Sequence, residues 1–328
     1  MLEEKVLGTI NKYNMIKQND KKVLVAVSGG FDSTCLLYLL DSLKSELNIE
    51  LVVAHVNHCL RENAIIDEKF VKDLCEKLNI PVFIAQIDVS KIAMDDKLSL
   101  EMAGRKARYE FFDKICEQEN CTKIATAHNA NDNAETVLLN IFRGTGLKGL
   151  KGIHKVREDK YIRPLIESTR NEINEYLEKN SIQIRLDESN LENEYRRNKV
   201  RNDLIPYIKE NFNTNIINTI NKMSDIIALE DEFINKIADS SFKQVVIKND
   251  VQGLVINAKK FSQMDIVLQK RIILKCIGFV NGTTVHIEEV NIMDILRMIN
   301  NNIGNKYIIP IKGLKVYINK SQIYFNKI

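Results

Sequence analysis

Residues 23–43 constrain this chain more than any other stretch. Val23-Leu-Val-Ala-Val27 is a short unbroken apolar run, the pattern of a parallel strand buried on both faces. Ser28, Gly29, Gly30, Phe31, Asp32 and Ser33 follow at once, and residues 34–43 then carry apolar side chains at helical spacing. A strand, a glycine-rich loop and a helix in that order aim unpaired backbone N–H groups and the positive end of a helix dipole at one point, where an anion binds. Gly29 and Gly30 permit positive φ and close backbone approach. Ser28 and Ser33 add hydroxyl donors, and Asp32 supplies a carboxylate able to hold Mg²⁺. A Walker A loop would need G-x-x-x-x-G-K-[ST], and no lysine follows these glycines. The bound phosphates must then be neutralised by backbone, metal and residues from elsewhere.

The rest of the chain alternates strand and helix. Apolar strands are predicted over residues 51–57, 82–87, 123–128 and 161–165, and helices over 34–43, 63–78, 98–119, 132–142 and 170–180. Residues 88–97 read as a polar, mobile connection. Such alternation implies βαβ units and a parallel sheet covered on both faces. Ligands of these sheets bind outside the carboxyl ends of the strands, where residues 28–33, 55–61 and 128–132 all fall. Residues 144–149 match G-x-G-x-x-G but follow a helix instead of a strand, so they are no dinucleotide fingerprint. A basic, flexible connecting loop fits them better.

At 328 residues the chain is long for one domain, and its character changes beyond Asn213. Long helical patterns over 216–240, 262–279 and 286–299 enclose a short strand pair near Val245 and Leu254, and the end alternates like a small meander. The boundary is placed at 211, giving domains over 1–211 and 212–328. No apolar run approaches a membrane span, and residues 1–17 read as an amphipathic helix, not a signal peptide. Six scattered cysteines without C-x-x-C fit reduced, mostly buried thiols in a cytoplasmic protein. The formal charge of +3 is too small to mark a nucleic-acid binder by itself. Basic residues nevertheless outnumber acidic ones over 143–170 and 196–209, which suits local contact with phosphates or solvated helix faces alike.

Three groups of side chains carry candidate chemistry. Asp132 and Glu135 are spaced i, i+3 in the first turn of a helix, so two carboxylates share one face and can receive an amine. The same spacing is also a capping box, and spacing alone leaves both readings open. Arg105 and Arg108 sit i, i+3 on another helix and face either phosphates or solvent. His55 and His58 flank a strand end without a third metal ligand, which makes them polar contacts beside the nucleotide.

Ser-Gly-Gly-x-Asp-Ser after a strand resembles the PP-loop of the N-type ATP pyrophosphatases, which cleave ATP to AMP and pyrophosphate and adenylate a substrate. In series with His55, His58, Arg105, Arg108, Tyr109, His128, Asp132, Glu135, Thr136, Arg143, Arg163, Asp187, Asn190, Arg197 and Arg201, it is similar to the tRNA(Ile)-lysidine synthetase family from about residue 22 to 206. The resemblance implies an α/β fold, a doubly wound parallel sheet of the PP-loop ATP pyrophosphatase type, with a second, smaller, mainly helical tRNA-binding domain ending in short strands. It implies a short form, without the further carboxy-terminal domain of longer members.

The implied reaction adenylates the C2 carbonyl oxygen of the wobble cytidine in a CAU anticodon, after which the ε-amine of lysine displaces AMP. Carried over, Ser28, Gly29, Gly30, Phe31, Asp32, Ser33 and His55 bind ATP, and Asp32 holds Mg²⁺. His128, Asp32 and Arg108 act in catalysis, while Asp132, Glu135, Asn190 and Arg201 receive lysine. Implied partners are tRNA(Ile) with a CAU anticodon and free L-lysine, with no membrane and room for a homodimer. One rival reading is a PP-loop tRNA thiolation enzyme, whose chemistry relies on C-x-x-C cysteines that this sequence lacks. Another is a non-catalytic ATP- or RNA-binding module.

Overall fold

Strand β1 (Lys22–Ala26) is central because its apolar residues have no face left for water: Val23, Leu24 and Val25 are fully buried. The computed structural model of the chain describes residues 1–59, 64–184, 195–284, 287–301 and 307–328. In it, β1 pairs in parallel with β2 (Glu50–Asn57) on one side and with β4 (Lys123–Ala125) on the other. Beyond β2 lies β3 (Val82–Gln86), also parallel. Beyond β4 lie the parallel β6 (Tyr161–Ile162) and the antiparallel edge β5 (Val156–Arg157). The sheet order is β3-β2-β1-β4-β6-β5, so the strand order reverses between β1 and β4.

The helices of this unit run as α1 (Leu2–Lys12), α2 (Phe31–Leu47), α3 (Ala64–Leu78), α4 (Val89–Asp95) and α5 (Leu100–Gln118). They continue as α6 (Ala130–Phe142), α7 (Leu147–Leu150), α8 (Arg170–Lys179), α9 (Tyr195–Lys199), a π turn over Val200–Leu204 and α10 (Ile205–Asn211). Helices α1, α2, α3 and α8 pack Ile10, Leu36, Leu40, Val71, Ile173 and Leu177 against Val23, Val25 and Val53 on one sheet face. Helix α5 packs Phe112, Ile115 and Cys116 against Leu24, Val52 and Ile124 on the other. Neighbouring residues of β1 thus serve opposite cores, as a doubly wound sheet requires.

Local expectations need correction: the strand expected over 123–128 ends at Ala125, and α7 begins at Leu147 inside the loop expected over 144–149. Residues 88–97 are not a loop: the Asp88 side chain accepts from Lys91 N at 3.1 Å, capping α4, and Val89 anchors that helix in the interior. The polarity of the stretch is that of a short helix facing water. The strand expected over 161–165 stops at Ile162, two residues before Pro164, which has no N–H to donate to the ladder.

The chain divides into two units, Met1–Ile227 and Ala228–Ile328. The division falls inside α11 (Ile216–Val245), later than the expected 211, for a packing reason. Ile217 and Ile220 join a core with Ala134, Val137 and Ile205. Asn221 donates to Ala130 O at 3.0 Å and accepts from Asn133 at 2.6 Å, and Ser224 donates to Lys151 O at 2.6 Å. The second unit holds β7 (Val246–Asp250), β8 (Gly253–Asn257), α12 (Ala258–Ser262), α13 (Ile266–Asn281) and α14 (Glu289–Asn300). Strands β9 (Tyr307–Ile311), β10 (Leu314–Asn319) and β11 (Gln322–Lys327) complete it. The strand pair and the terminal meander make one antiparallel sheet, ordered β7-β8-β11-β10-β9, because β11 pairs with β8. Ile272, Ile273 and Ile295 of α13 and α14 pack with Val316 and Phe325 of that sheet. Among the described residues no helix is long and apolar enough to cross a membrane.

Lys123 opens β4 with its ammonium buried, donating to Asp159 O at 2.5 Å and lying 3.5 Å from the buried Asp20 carboxylate. Removing the cation takes away the ion pair of this buried carboxylate and leaves it the Lys17 N–H at 2.7 Å. Lys123→Met is therefore expected to destabilise the first unit by about 2 kcal/mol, read from urea unfolding. An unchanged midpoint would show that water already compensates Asp20.

Candidate active site

The loop after β1 is shaped without a ligand. Gly29 adopts φ +87°, and a Cβ there would sit 3.4 Å from the Val71 side chain of α3, so close backbone packing and an unusual dihedral coincide. Gly30 caps α2, leaving the N–H groups of its first turn pointing out of the loop. Ser33 Oγ donates to Gly30 O at 2.9 Å and accepts from Ser28 N at 3.1 Å, and the Ser28 and Ser33 hydroxyls lie 3.0 Å apart. Phe31 turns its ring toward the apolar core, so its part in the loop is its backbone.

His55, near the end of β2, braces this loop from behind. Its ring Nδ1 lies 2.8 Å from Val27 O, and Nε2 is buried without a hydrogen-bond partner among the described residues. Burial lowers its pKa. His58 is pushed down to about 4, by burial first and then by the charges of Arg108 and His55.

The loop after β4 meets the loop after β1 because the strand order reverses between them. Asn129 caps α6, accepting from Asn131 N at 2.9 Å and Asp132 N at 3.1 Å. Its amide also donates to Asp32 Oδ1 at 2.9 Å, joining the two loops directly. Asp32 is pushed up to about 6, chiefly by burial and then by the nearby Asp132 charge. His128 Nδ1 lies 3.1 Å from Thr126 Oγ1. Its pKa is pushed down to about 3 by burial, with the charges of Arg163, Arg105, Arg197 and Arg108 adding to the effect. At neutral pH it is therefore an uncharged imidazole in an electropositive corner.

One turn into α6 lies a dense charge cluster. Asp132 Oδ2 accepts from Asn129 N at 3.1 Å, closing the capping box. Asp132 Oδ1 meets Arg170, Arg197 and Arg201 at 3.3, 3.2 and 3.4 Å. Spacing left capping and amine binding open: one oxygen of Asp132 makes the cap, and the other already meets guanidinium groups. Glu135 is fully buried and bound more tightly, with Arg197 Nε at 2.8 Å and Arg201 Nε at 2.7 Å. Arg201 stands in the π turn, a wide turn frequent at functional sites.

The structure thus brings Ser28, Gly29, Gly30, Asp32, Ser33, His55, His128, Asp132, Glu135 and Arg201 to one sheet edge. Arg108 is exposed on α5, yet its charge bears on both His58 and His128. Asn190 lies outside the described residues. Sequence reasoning missed Asn129, whose only signal was an asparagine just ahead of a helix. It also missed Arg170, which reaches Asp132 from the start of another helix, while Arg163, nearly fully buried and donating to His154 O, stood in the motif series with no role attached.

A family model described as "PP-loop domain" matches residues 2–208. The tRNA(Ile)-lysidine synthase of Clostridium acetobutylicum is 43% identical over 319 residues, covering 97% of this chain and 68% of that protein. The protein of the same name from Clostridium tetani is 44% identical, covering 95% of this chain and 67% of its own length. Among solved structures, the U34-tRNA thiolase NcsA from Methanococcus maripaludis shares the fold, with a TM-score of 0.58 at 21% identity over 69% of this chain and 78% of that one. With its PP-loop matched by the family model and nearly its whole length aligned to these relatives, the chain belongs to the tRNA(Ile)-lysidine synthase family of PP-loop proteins.

Proposed function

We propose that this chain ligates lysine to C2 of the wobble cytidine of tRNA(Ile) with a CAU anticodon, by way of an adenylated RNA and in the cytoplasm. The supporting observation is the meeting of an anion-binding loop, a neutral histidine and a carboxylate–arginine cluster at one switch point of the sheet. In the first step the cytidine O2 attacks the α-phosphorus of ATP and pyrophosphate leaves. In the second, the lysine ε-amine attacks C2, the C2–O bond breaks, AMP leaves and the amine gives up a proton. Both steps need phosphate oxygens held by fixed donors, which the loop N–H groups, Ser28 and Ser33 supply.

Asp32 suits a divalent cation: it is a buried carboxylate whose charged form is disfavoured where it stands. Mg²⁺ there, shared with phosphate oxygens and water, would offset the triphosphate charge. His128, being neutral, can hydrogen-bond the reacting base or phosphate without adding a like charge to Arg163 and Arg105. Arg108 supplies a positive charge at the same edge.

The lysine site is not an empty anionic pocket. Three guanidinium groups already face two carboxylates, so the cluster carries a surplus positive charge suited to the lysine carboxylate. The ammonium then goes to Asp132, whose arginine contacts are long, while Glu135 anchors Arg197 and Arg201.

Incubating the protein with ATP, tRNA and radiolabelled lysine should place label in the tRNA and release pyrophosphate. Release of ADP and orthophosphate alone would overturn the reading. Asp32→Ala should cut turnover by a factor on the order of 100 while leaving the unfolding midpoint in place. Asp132→Asn keeps a capping oxygen but loses the charge, and is expected to raise KM for lysine about tenfold with KM for ATP nearly unchanged. Equal effects on both substrates would leave Asp132 only its capping role.

Acid should weaken the fold. In the unfolded chain histidines gain protons below about pH 6.5. In the fold His58 does so only near pH 4 and His128 only near pH 3. Between those limits the unfolded state binds more protons at these two histidines, which lowers stability as pH drops from 6.5 toward 4 and restores it above, by at most about 1.4 kcal/mol per pH unit for each. Asp32, held at about 6, takes up its proton in the fold and offsets part of that fall below pH 6. His128→Asn should flatten that slope in urea titrations run at several pH values.

A further inference from the structure

Past Glu135, α6 runs two more turns to Phe142, while the path carrying Arg197 and Arg201 continues through the π turn into α10. Between these elements lies a cleft of about 770 Å³, lined by Leu139, Phe142, Arg143, Arg196, Lys199 and Tyr207 among others. Its floor is apolar, yet two of its rings stand in water: Phe142 is 65% exposed and Tyr207 57%. Arg143, Arg196 and Lys199 are exposed at its edge, against the single carboxylate of Asp203. Arg143 and Arg196 make no ion pair with any described residue.

Exposed aromatic faces beside an excess of cations are what an unpaired nucleobase and its phosphates require. Every base offers a π-face to stack, and each phosphate a charge to neutralise. An apolar protein partner would gain nothing from the surplus positive charge. The cleft is also close to the cluster at Asp132. Seven residues at 1.5 Å each put Phe142 about 10 Å beyond Glu135 along α6, a short step for an extended strand of RNA.

We propose that this cleft receives the unpaired adenine flanking the reacting cytidine, stacked on Phe142 and Tyr207 with its phosphates against Arg143 and Arg196. The assignment rests on the RNA-directed function proposed above.

The test uses the full chain and an anticodon stem-loop whose CAU adenine is replaced by 2-aminopurine, alongside lysine transfer to intact tRNA. Binding to the unaltered protein should quench the 2-aminopurine. Phe142→Ala and Tyr207→Ala should each relieve the quenching and weaken the stem-loop about tenfold, with ATP affinity unchanged. Arg143→Ser should lower the slope of log affinity against log salt by about one. Transfer by the unaltered protein, together with full quenching and affinity within about twofold in both aromatic variants, would overturn the cleft assignment and leave the proposed function standing. Loss of self-association instead of RNA affinity in those variants would assign the cleft to a second copy of the chain. Failure of the unaltered protein to transfer lysine or bind the stem-loop would instead defeat the function, and the cleft assignment with it.

Discussion

The parallel pairing of β1 with β4 is the constraint on which the site depends. Three residue pairs, Val23 with Lys123, Leu24 with Ile124 and Val25 with Ala125, set the register. A slip of one residue would turn Leu24 toward the core built by Val23 and Val25, exchanging the faces of the sheet. It would also carry Asn129 away from Asp32. The anion loop and the α6 cap are thus held together by main-chain hydrogen bonds and by apolar packing on both sides, before any functional side chain makes a contact.

The charge cluster on α6 belongs to a different layer of organisation. Its five side chains come from α6, α8, α9 and the π turn. Burying such groups is costly unless each is paired, and here the pairing is many-sided: Asp132 serves a helix cap with one oxygen and three arginines with the other. Glu135, with no exposed surface, is the member that ties α6 to the π turn. Packing of α6 against Ile205, Ile217 and Ile220 supports the same contact from the apolar side.

Much of this was legible in the sequence, and the reasons differ by residue. The loop at 28–33 could be read because its six positions are contiguous and follow an apolar strand. The doubly wound sheet could be read because buried parallel strands are apolar throughout, while the helices between them are periodic. The contacts of Asn129 with Asp32 and of Arg170 with Asp132 could not be read, since each joins residues distant in sequence, and Arg163 stood in the motif series with no role attached. Asp132 was ambiguous for a sound reason, as its two roles demand the same spacing. The boundary was placed at 211 because composition changes there, but the apolar residues that open α11 belong to the core already formed by α6. The two strand groups of the second unit were visible singly. Their union through β8 and β11 is a pairing between segments some seventy residues apart.

The paired hydroxyls of Ser28 and Ser33 have a consequence for how tightly any phosphate is held. These groups are already satisfied by each other and by the loop backbone, so an arriving anion exchanges one set of hydrogen bonds for another. The enthalpy gained is a difference between the two sets, smaller than the contacts in the complex would suggest. Against that, the loop has little disorder to lose, because Gly29 and the cap at Gly30 are already in place. A cradle of this kind trades strength of grip for readiness, which suits a nucleotide that must be taken up, cleaved and let go at every turnover.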